Sequence, residues 1–296
     1  MRILVGNNRM ADPGGSETYA YALIAELQRQ GHDVECITLQ KGMVSSYVGC
    51  LGVPVYTTPI YDVYDLALLS HSSSIELARN VKAFKIQTCH GIYPNLEQPV
   101  KGMDAYVAIS DEVYTHLKSK GYNSSIIHNG IDCERFASSR SINTRLQTVL
   151  SLCHDEKTNH YLQSICHLLN VRLIKKNKFD APIWRVEDLI NEADLVVTLG
   201  RGAYEAMAMG RNVLLYDNRR YVGGEALGDG MVDKDNIFSF LENNCSGRYS
   251  AKPFPTKEML LAFKKYRKKT GGDLRKFAVA NLNIKDKVNQ YLNLVR

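Results

Sequence analysis

Three stretches of this chain combine glycines with polar side chains at spacings suited to holding an anion or a sugar. In Gly14-Gly15-Ser16-Glu17, between an apolar strand and an amphipathic helix, the glycines let backbone approach a ligand closely. A helix start there adds unpaired N–H groups at the positive end of its dipole, a place for phosphate or another polar acceptor. Read alone, the stretch is equally a tight turn with a cap. Asn129-Gly130-Ile131-Asp132, with Phe136 close behind, is by itself a strand-ending turn. The third stretch, Gly200-Arg201-Gly202-Ala203-Tyr204-Glu205-Ala206-Met207-Ala208-Met209-Gly210, leads a strand through glycines into a short helix that stops at a glycine. A carboxylate at Glu205, in the first turn, could accept two ribose hydroxyls, while Arg201 and the helix N-terminus could hold a diphosphate. The simpler account of Glu205 alone is an acid favoured by the helix dipole, worth about 0.3–1 kcal/mol.

Several classes are disfavoured. There is no Gly-x-Gly-x-x-Gly fingerprint and no Gly-Lys-Ser/Thr, which argues against a nicotinamide enzyme and a P-loop NTPase. The 7 cysteines are odd in number and form no Cys-x-x-Cys, so neither a zinc site nor a disulfide scaffold is expected. A reducing cytosolic compartment is the simplest reading. No apolar run reaches the roughly 18 residues of a membrane span, and Met1–Gly6 is too short an apolar stretch for a signal peptide.

The elements that must position these residues alternate from the start. Ile3–Gly6 reads as a buried strand, followed by a loop and then a helix with Ala20, Leu23, Ile24 and Leu27 on one face. Ser16 is its expected N-cap and Gly31 its stop. Further strands are expected at Val34–Leu39, Val53–Thr58, Leu66–Leu69, Lys85–Thr88, Ala105–Ile109 and Ser125–His128. The polar stretch 137–143 reads as a linker, after which strands recur at Val149–Leu152, Arg172–Ile174, Leu195–Leu199 and Val213–Tyr216. Helices are expected at Asn159–Leu169, Val186–Glu192 and Tyr204–Met209, with a final helix over about Lys276–Leu294. A chain of 296 residues, 45% apolar and 23% charged, has room for two such domains. The reading is an α/β protein with two doubly wound parallel sheets facing across a cleft, ligands lying beyond the carboxyl ends of the strands.

In combination the motifs are more specific. Gly-Gly-Ser-Glu, then Asn-Gly-Ile-Asp with Phe136, then Glu205-Ala206-Met207-Ala208-x-Gly210 resembles glycosyltransferase family 4 over roughly residues 1–245. The resemblance implies the GT-B fold, two Rossmann-like domains: 1–139 with a returning helix 276–296 on the acceptor side, and 140–275 binding the donor. It implies retaining, metal-independent transfer of a sugar from a UDP- or GDP-type donor to a hydroxyl acceptor, a glycan or lipid-linked glycan. Glu205 inherits donor-ribose binding, and Gly14, Gly15 and Ser16 lie near donor phosphates and acceptor. Gly200, Gly202, Ala203 and Tyr204 shape the donor site. His90, in Thr88-Cys89-His90-Gly91, matches a His-Gly pair near the transferred sugar; it is equally read as a polar residue closing a strand. No cofactor is implied, because positive side chains take a metal's place.

Two departures stand out. The family has an Arg and, five residues later, a Lys that neutralise the leaving diphosphate. Here Lys157 keeps the second position and Leu152 occupies the first. The family's second Glu, eight residues before the ribose-binding one, falls here at Val197, inside a strand, and the loop that would carry it reads as deleted, with only eleven positions from Asp194 to Glu205. Arg201 is the candidate to restore the missing positive charge, so His90, Lys157 and Arg201 are the expected catalytic set. These losses also support a non-catalytic nucleotide-sugar-binding protein of the same fold; a sugar-nucleotide epimerase is more distant. Ile183-Trp184-Arg185 is a candidate to stack on the donor base.

The net charge is +6, but Lys252–Lys276 alone holds nine Lys/Arg and two acids. Within it, Lys264-Lys265-Tyr266-Arg267-Lys268-Lys269 reads as a solvated helix face, an anionic-lipid contact, or a nucleic-acid contact of an enzyme that glycosylates modified bases of phage DNA. The expected location is cytoplasmic, or peripheral on the inner face of the membrane.

Overall fold

The computed structural model describes residues 1–177, 180–218 and 226–295. The chain divides into two compact units: Met1–Gly130 with the segment from Ile284 onward, and Ile131–Asn283.

The first unit runs β1 (Arg2–Met10), α1 (Gly15–Arg29), β2 (Asp33–Lys41), α2 (Met43–Cys50), β3 (Val55–Tyr56), β4 (Val63–Leu69), α3 (Ser72–Leu77), β5 (Lys82–Cys89), β6 (Ala105–Ala108), α4 (Asp111–Ser119) and β7 (Ser125–Ile126). The sheet order is β3-β2-β1-β4-β5-β6-β7, with every neighbouring pair parallel. The central strands are apolar on both faces, as expected of a parallel sheet covered on both sides; Ile3, Leu4, Leu66 and Ala67 are fully buried. The winding starts in the middle and reverses direction between β1 and β4. β1 continues past the expected Gly6 because its ladder with β2 extends through Arg9↔Gln40 and Met10↔Lys41. Pairing there overrides a composition that reads as loop.

Two local expectations are corrected. Ser16 does not cap α1: the helix begins at Gly15 with Gly14 as N-cap, and the Ser16 hydroxyl donates to Glu17 Oε2 at 3.1 Å. The final helix is not continuous. α10 (Lys268–Asn281) ends in the second unit, and α11 (Ile284–Asn293) belongs to the first. The break has a use, since the Leu282 carbonyl accepts the Ile131 N–H at 2.7 Å and Ile131 forms a β-bridge with Asn283. Gly130 is a glycine because a Cβ there would press on the Ile284 backbone. The Asn-Gly-Ile-Asp stretch thus marks where the chain passes between units, earlier than residue 139.

The second unit holds β8 (Thr148–Ser151), α5 (Glu156–Leu168), β9 (Arg172–Lys175), α6 (Val186–Glu192), β10 (Leu195–Thr198), α7 (Arg201–Ala208), β11 (Asn212–Asp217), β12 (Leu227–Met231), α8 (Ile237–Leu241), α9 (Thr256–Lys264) and α10. Its order is β12-β11-β10-β8-β9, and only β12 runs antiparallel. That edge strand, Leu-Gly-Asp-Gly-Met, carries no period-2 signal and was not expected.

Residues 137–143 are not a loose linker. Arg211, fully buried, donates to the carbonyls of Ile190, Asn191 and Arg140 and to Ser138 Oγ at 2.8–3.2 Å. Burial pushes its guanidinium down to about 10. The segment is polar because its groups are anchors. Arg211→Met keeps most of the volume but removes the charged donor that ties the Ile190, Asn191 and Arg140 carbonyls and Ser138 together. It is expected to cost about 3 kcal/mol, read as a lower urea midpoint at unchanged slope; an unshifted midpoint would show that the segment is not pinned this way.

Candidate functional site

In each parallel sheet the place to look is the carboxyl edge beside the reversal of strand order, where the two loops diverge and leave a crevice. In the second unit that point lies between β8 and β10.

The loop after β8 leads into α5 through Asp155, whose carboxylate accepts the Thr158 N–H at 2.7 Å and the Thr158 hydroxyl at 2.8 Å, capping the helix. Asn218, just past β11, donates to the same oxygen at 2.7 Å. Burial alone would raise the Asp155 carboxyl, but these hydrogen bonds bring it below the ordinary aspartate value. Lys157 stands in the first turn of α5, exposed, its ammonium 5.9 Å from the Tyr161 ring.

The loop after β10 is short. Gly200 sits at φ 57°, ψ −130°, a conformation that side chains resist, with its N–H donated to the Cys245 carbonyl at 2.8 Å. A Cβ at Gly202 would run into Thr198 Oγ1. Ala203 and Tyr204 are fully buried, and the Tyr204 hydroxyl donates to Asn244 Oδ1 at 2.9 Å. These four residues therefore act through backbone shape and packing. The helix starts at Arg201 and not at the expected Tyr204, so Glu205 lies in its second turn, directly above Arg201. The two form an ion pair, Nε to Oε1 3.1 Å, with side chains only 8% and 9% exposed. Burial pushes the Glu205 carboxyl up, and the charges of Arg201 and Arg135 oppose that without cancelling it.

Arg135 belongs to the same neighbourhood. Its guanidinium grips Glu187 through two hydrogen bonds of 3.0 and 3.1 Å and donates to the Trp184 carbonyl at 2.7 Å. It also lies 4.7 Å from the Trp184 ring and 5.2 Å from Phe136. Trp184 was a sequence candidate; Arg135 and Glu187 were not, since nothing in sequence links positions so far apart.

In the first unit the strand order reverses between β1 and β4. His71 follows β4, caps α3, is buried, and accepts the Asn8 N–H on Nδ1 at 3.3 Å. Burial pushes its imidazole down to about 4, so it is neutral at pH 7 with its proton on Nε2. His90, at the end of β5, is half-buried between His71, at 6.1 Å between ring centres, and Tyr19, packed edge-on at 4.9 Å. The Tyr19 hydroxyl donates to that of Tyr291 in α11, which lies 2.9 Å from Thr88 Oγ1. Sequence reading missed His71, although Ser70-His71 follows a buried strand much as Cys89-His90 does. Gly14 and Gly15 open α1; nothing stands within 4 Å of a Cβ at Gly15. The predicted residues thus fall into two sets: Gly14, Gly15, Ser16 and His90 in the first unit, and Lys157 with Gly200–Glu205 in the second.

No family model matches the chain, and no curated protein matches it. Among solved structures it is similar to HepE of Anabaena in complex with UDP and glucose, at 13% identity, covering 99% of this chain and 98% of that one with a TM-score of 0.68. It is similar at 11% identity to the glycotransferase of kitacinnamycin, covering 100% and 99% with a TM-score of 0.56. It is also similar, at 8% identity over 100% and 99% with a TM-score of 0.57, to an alpha-glucosyltransferase in complex with UDP and a 13-mer DNA containing a central A:G mismatch. At such identities the likeness is one of fold: two Rossmann-like parallel-sheet domains of the GT-B kind.

The depressed His71 value carries a sign. The unfolded state binds a proton near pH 6.5 that the folded state does not take until about pH 4. The associated stability is therefore fully present above pH 6.5 and is lost as pH falls toward 4. His71→Asn is expected to flatten that limb of the stability–pH curve; an unchanged limb would assign it to other groups.

Proposed function

We propose that this chain is a glycosyltransferase that takes a sugar from a UDP- or GDP-type donor and passes it to a hydroxyl acceptor with retention at the anomeric carbon, as glycosyltransferase family 4 enzymes do. The observation that carries this reading is a buried carboxylate, Glu205, held beside Arg201 at the carboxyl edge of β10, with Lys157 in the first turn of α5, which follows the neighbouring strand β8. Glu205 accepts the two ribose hydroxyls. Lys157, Arg201 and the N-terminal amides of α7 meet the roughly two negative charges on the leaving diphosphate, the role a metal would otherwise fill. The bond from the anomeric carbon to the diphosphate breaks as the acceptor oxygen bonds to that carbon, and the acceptor's proton leaves with the diphosphate. In the same reading His90, steadied by Tyr19, contacts the transferred sugar, and Gly14, Gly15 and Ser16 present backbone to donor phosphate and acceptor. The acceptor is a glycan or lipid-linked glycan.

Thermal-shift and calorimetric titrations with UDP, GDP, ADP, CMP and their sugars test the donor site. One diphosphate is expected to stabilise the protein, by about 2.7 kcal/mol at a hundred times its Kd, and Glu205→Ala to abolish the effect. Absence of binding by every nucleotide would remove the assignment.

The turn between α9 and α10 favours a second acceptor, DNA. Lys264, Lys265, Arg267, Lys268 and Lys269 are all exposed, while Tyr266 between them is buried and donates its hydroxyl to the Asn143 carbonyl at 2.6 Å. The cations are thus presented on an anchored turn. If DNA is the acceptor, duplex binding weakens steeply with salt, and Lys264→Glu with Lys265→Glu lowers the slope of log K against log salt by about 2. Affinity for duplex DNA that ignores those two changes would leave the glycan acceptor.

A further inference from the structure

The Arg201–Glu205 pair is a poor way to stabilise a helix. Arg201 is the first residue of α7, where the dipole disfavours a cation. An arginine four residues before a glutamate is the less favourable order of an i,i+4 pair. Both side chains are more than nine-tenths buried, and desolvating two charges costs more than their attraction commonly returns. Three local preferences are therefore set aside for one contact at the reversal point of the sheet, where a ligand crevice is expected. The second cation nearby cannot substitute for Arg201. Arg135 is held by both oxygens of Glu187 and by the Trp184 carbonyl, and stacks on Trp184 and Phe136. Its charge nevertheless bears on Glu205, so the carboxylate keeps a positive neighbour when Arg201 moves away.

We infer that the Arg201–Glu205 ion pair exchanges partners when donor binds, Glu205 passing to the ribose hydroxyls and Arg201 to the diphosphate, so that Arg201 makes nucleoside binding conditional on an attached diphosphate. This rests on the donor-site reading above. A bare nucleoside has to separate the pair and costs the buried guanidinium its contact with the Glu205 carboxylate. A nucleoside diphosphate returns an anion to it. Arg201 is then a specificity-determining residue: it binds the leaving group and, in the empty site, closes the ribose subsite to anything lacking one. No covalent step is involved.

The experiment measures Kd by calorimetry for inorganic pyrophosphate, for the nucleoside diphosphate that binds best, and for its parent nucleoside. The proteins are the full chain in wild-type, Glu205→Gln and Arg201→Gln forms, each checked for a cooperative melt. Glu205→Gln removes the carboxylate that competes for Arg201, so pyrophosphate is expected to bind at least several-fold more tightly than to wild type. Arg201→Gln is expected to weaken the diphosphate at least tenfold while leaving the nucleoside unchanged or tighter, so the ratio of the two affinities collapses. Pyrophosphate affinity unchanged or lowered in Glu205→Gln would overturn the exchange. So would equal losses of nucleoside and diphosphate in Arg201→Gln, the pattern of a merely structural pair, even with the donor site intact. If Arg201→Gln fails to melt cooperatively, Arg201→Lys replaces it, with a smaller drop in the same ratio expected and an unchanged ratio counting against the exchange. Wild-type protein that binds no nucleotide would remove the donor-site reading and the exchange with it.

Discussion

The Asp194 carboxylate, fully buried, aligns the two strands that carry the second unit's candidate site. It accepts the N–H groups of Asn143, Gln147 and Thr148 and the Asn143 side-chain amide at 3.0–3.1 Å, and pairs with Arg140 at 3.4 Å. Burial acts to raise its pKa, but this many donors hold it below the ordinary aspartate value. Asp194 stands just before β10, and Thr148 opens β8. One carboxylate thus ties the amino ends of neighbouring strands together, and the same strands deliver Lys157 and the Arg201–Glu205 pair at their carboxyl ends. Arg211 fastens the preceding segment to the same corner. The side chains at one edge of the sheet are only as well placed as the polar anchoring at the other.

The first unit is organised on the same geometric rule with different chemistry. A ladder of hydroxyls, Thr88 to Tyr291 to Tyr19, links β5, α11 and α1, and the Tyr19 ring then packs against His90. Helix α11, arriving from the far end of the chain, therefore steadies a residue at the carboxyl end of β5, one strand from the reversal between β1 and β4. Its separation from α10 at Leu282–Asn283 belongs to the same design, because the freed Leu282 carbonyl receives Ile131 where the chain passes between units. One acidic cluster elsewhere is used in a turn. The Asp233-Lys234-Asp235 triplet spends an Asp233 oxygen on the Asp235 and Asn236 N–H groups before α8.

Much of this was legible in sequence. Buried strands of a parallel sheet are short apolar runs bounded by polar turns, and that pattern survives without any knowledge of pairing. The locations of β2, β4, β5, β8, β10 and β11 follow from it. The glycine-framed helix with Glu205 was legible for a related reason: Gly200 at positive φ and Gly202 against Thr198 are local steric requirements, written in residue type. Where composition and ladder disagreed, as at Asn7–Met10, the ladder won, since hydrogen bonding to a neighbouring strand is not a local property.

The sequence by itself determined the two-sheet α/β plan, the order of the glycine motifs and the glycine-framed helix that carries Glu205, because periodicity and backbone sterics act over a few residues. Tertiary structure decided the rest. It brought Arg135 to Glu187 across 52 positions and set His71 beside His90. It turned a polar stretch that read as linker into the anchor around Arg211, and it placed Arg201 against Glu205 by starting α7 three residues early. Each of these depends on which strands are neighbours and on where water is excluded, and neither is fixed until the sheet has formed.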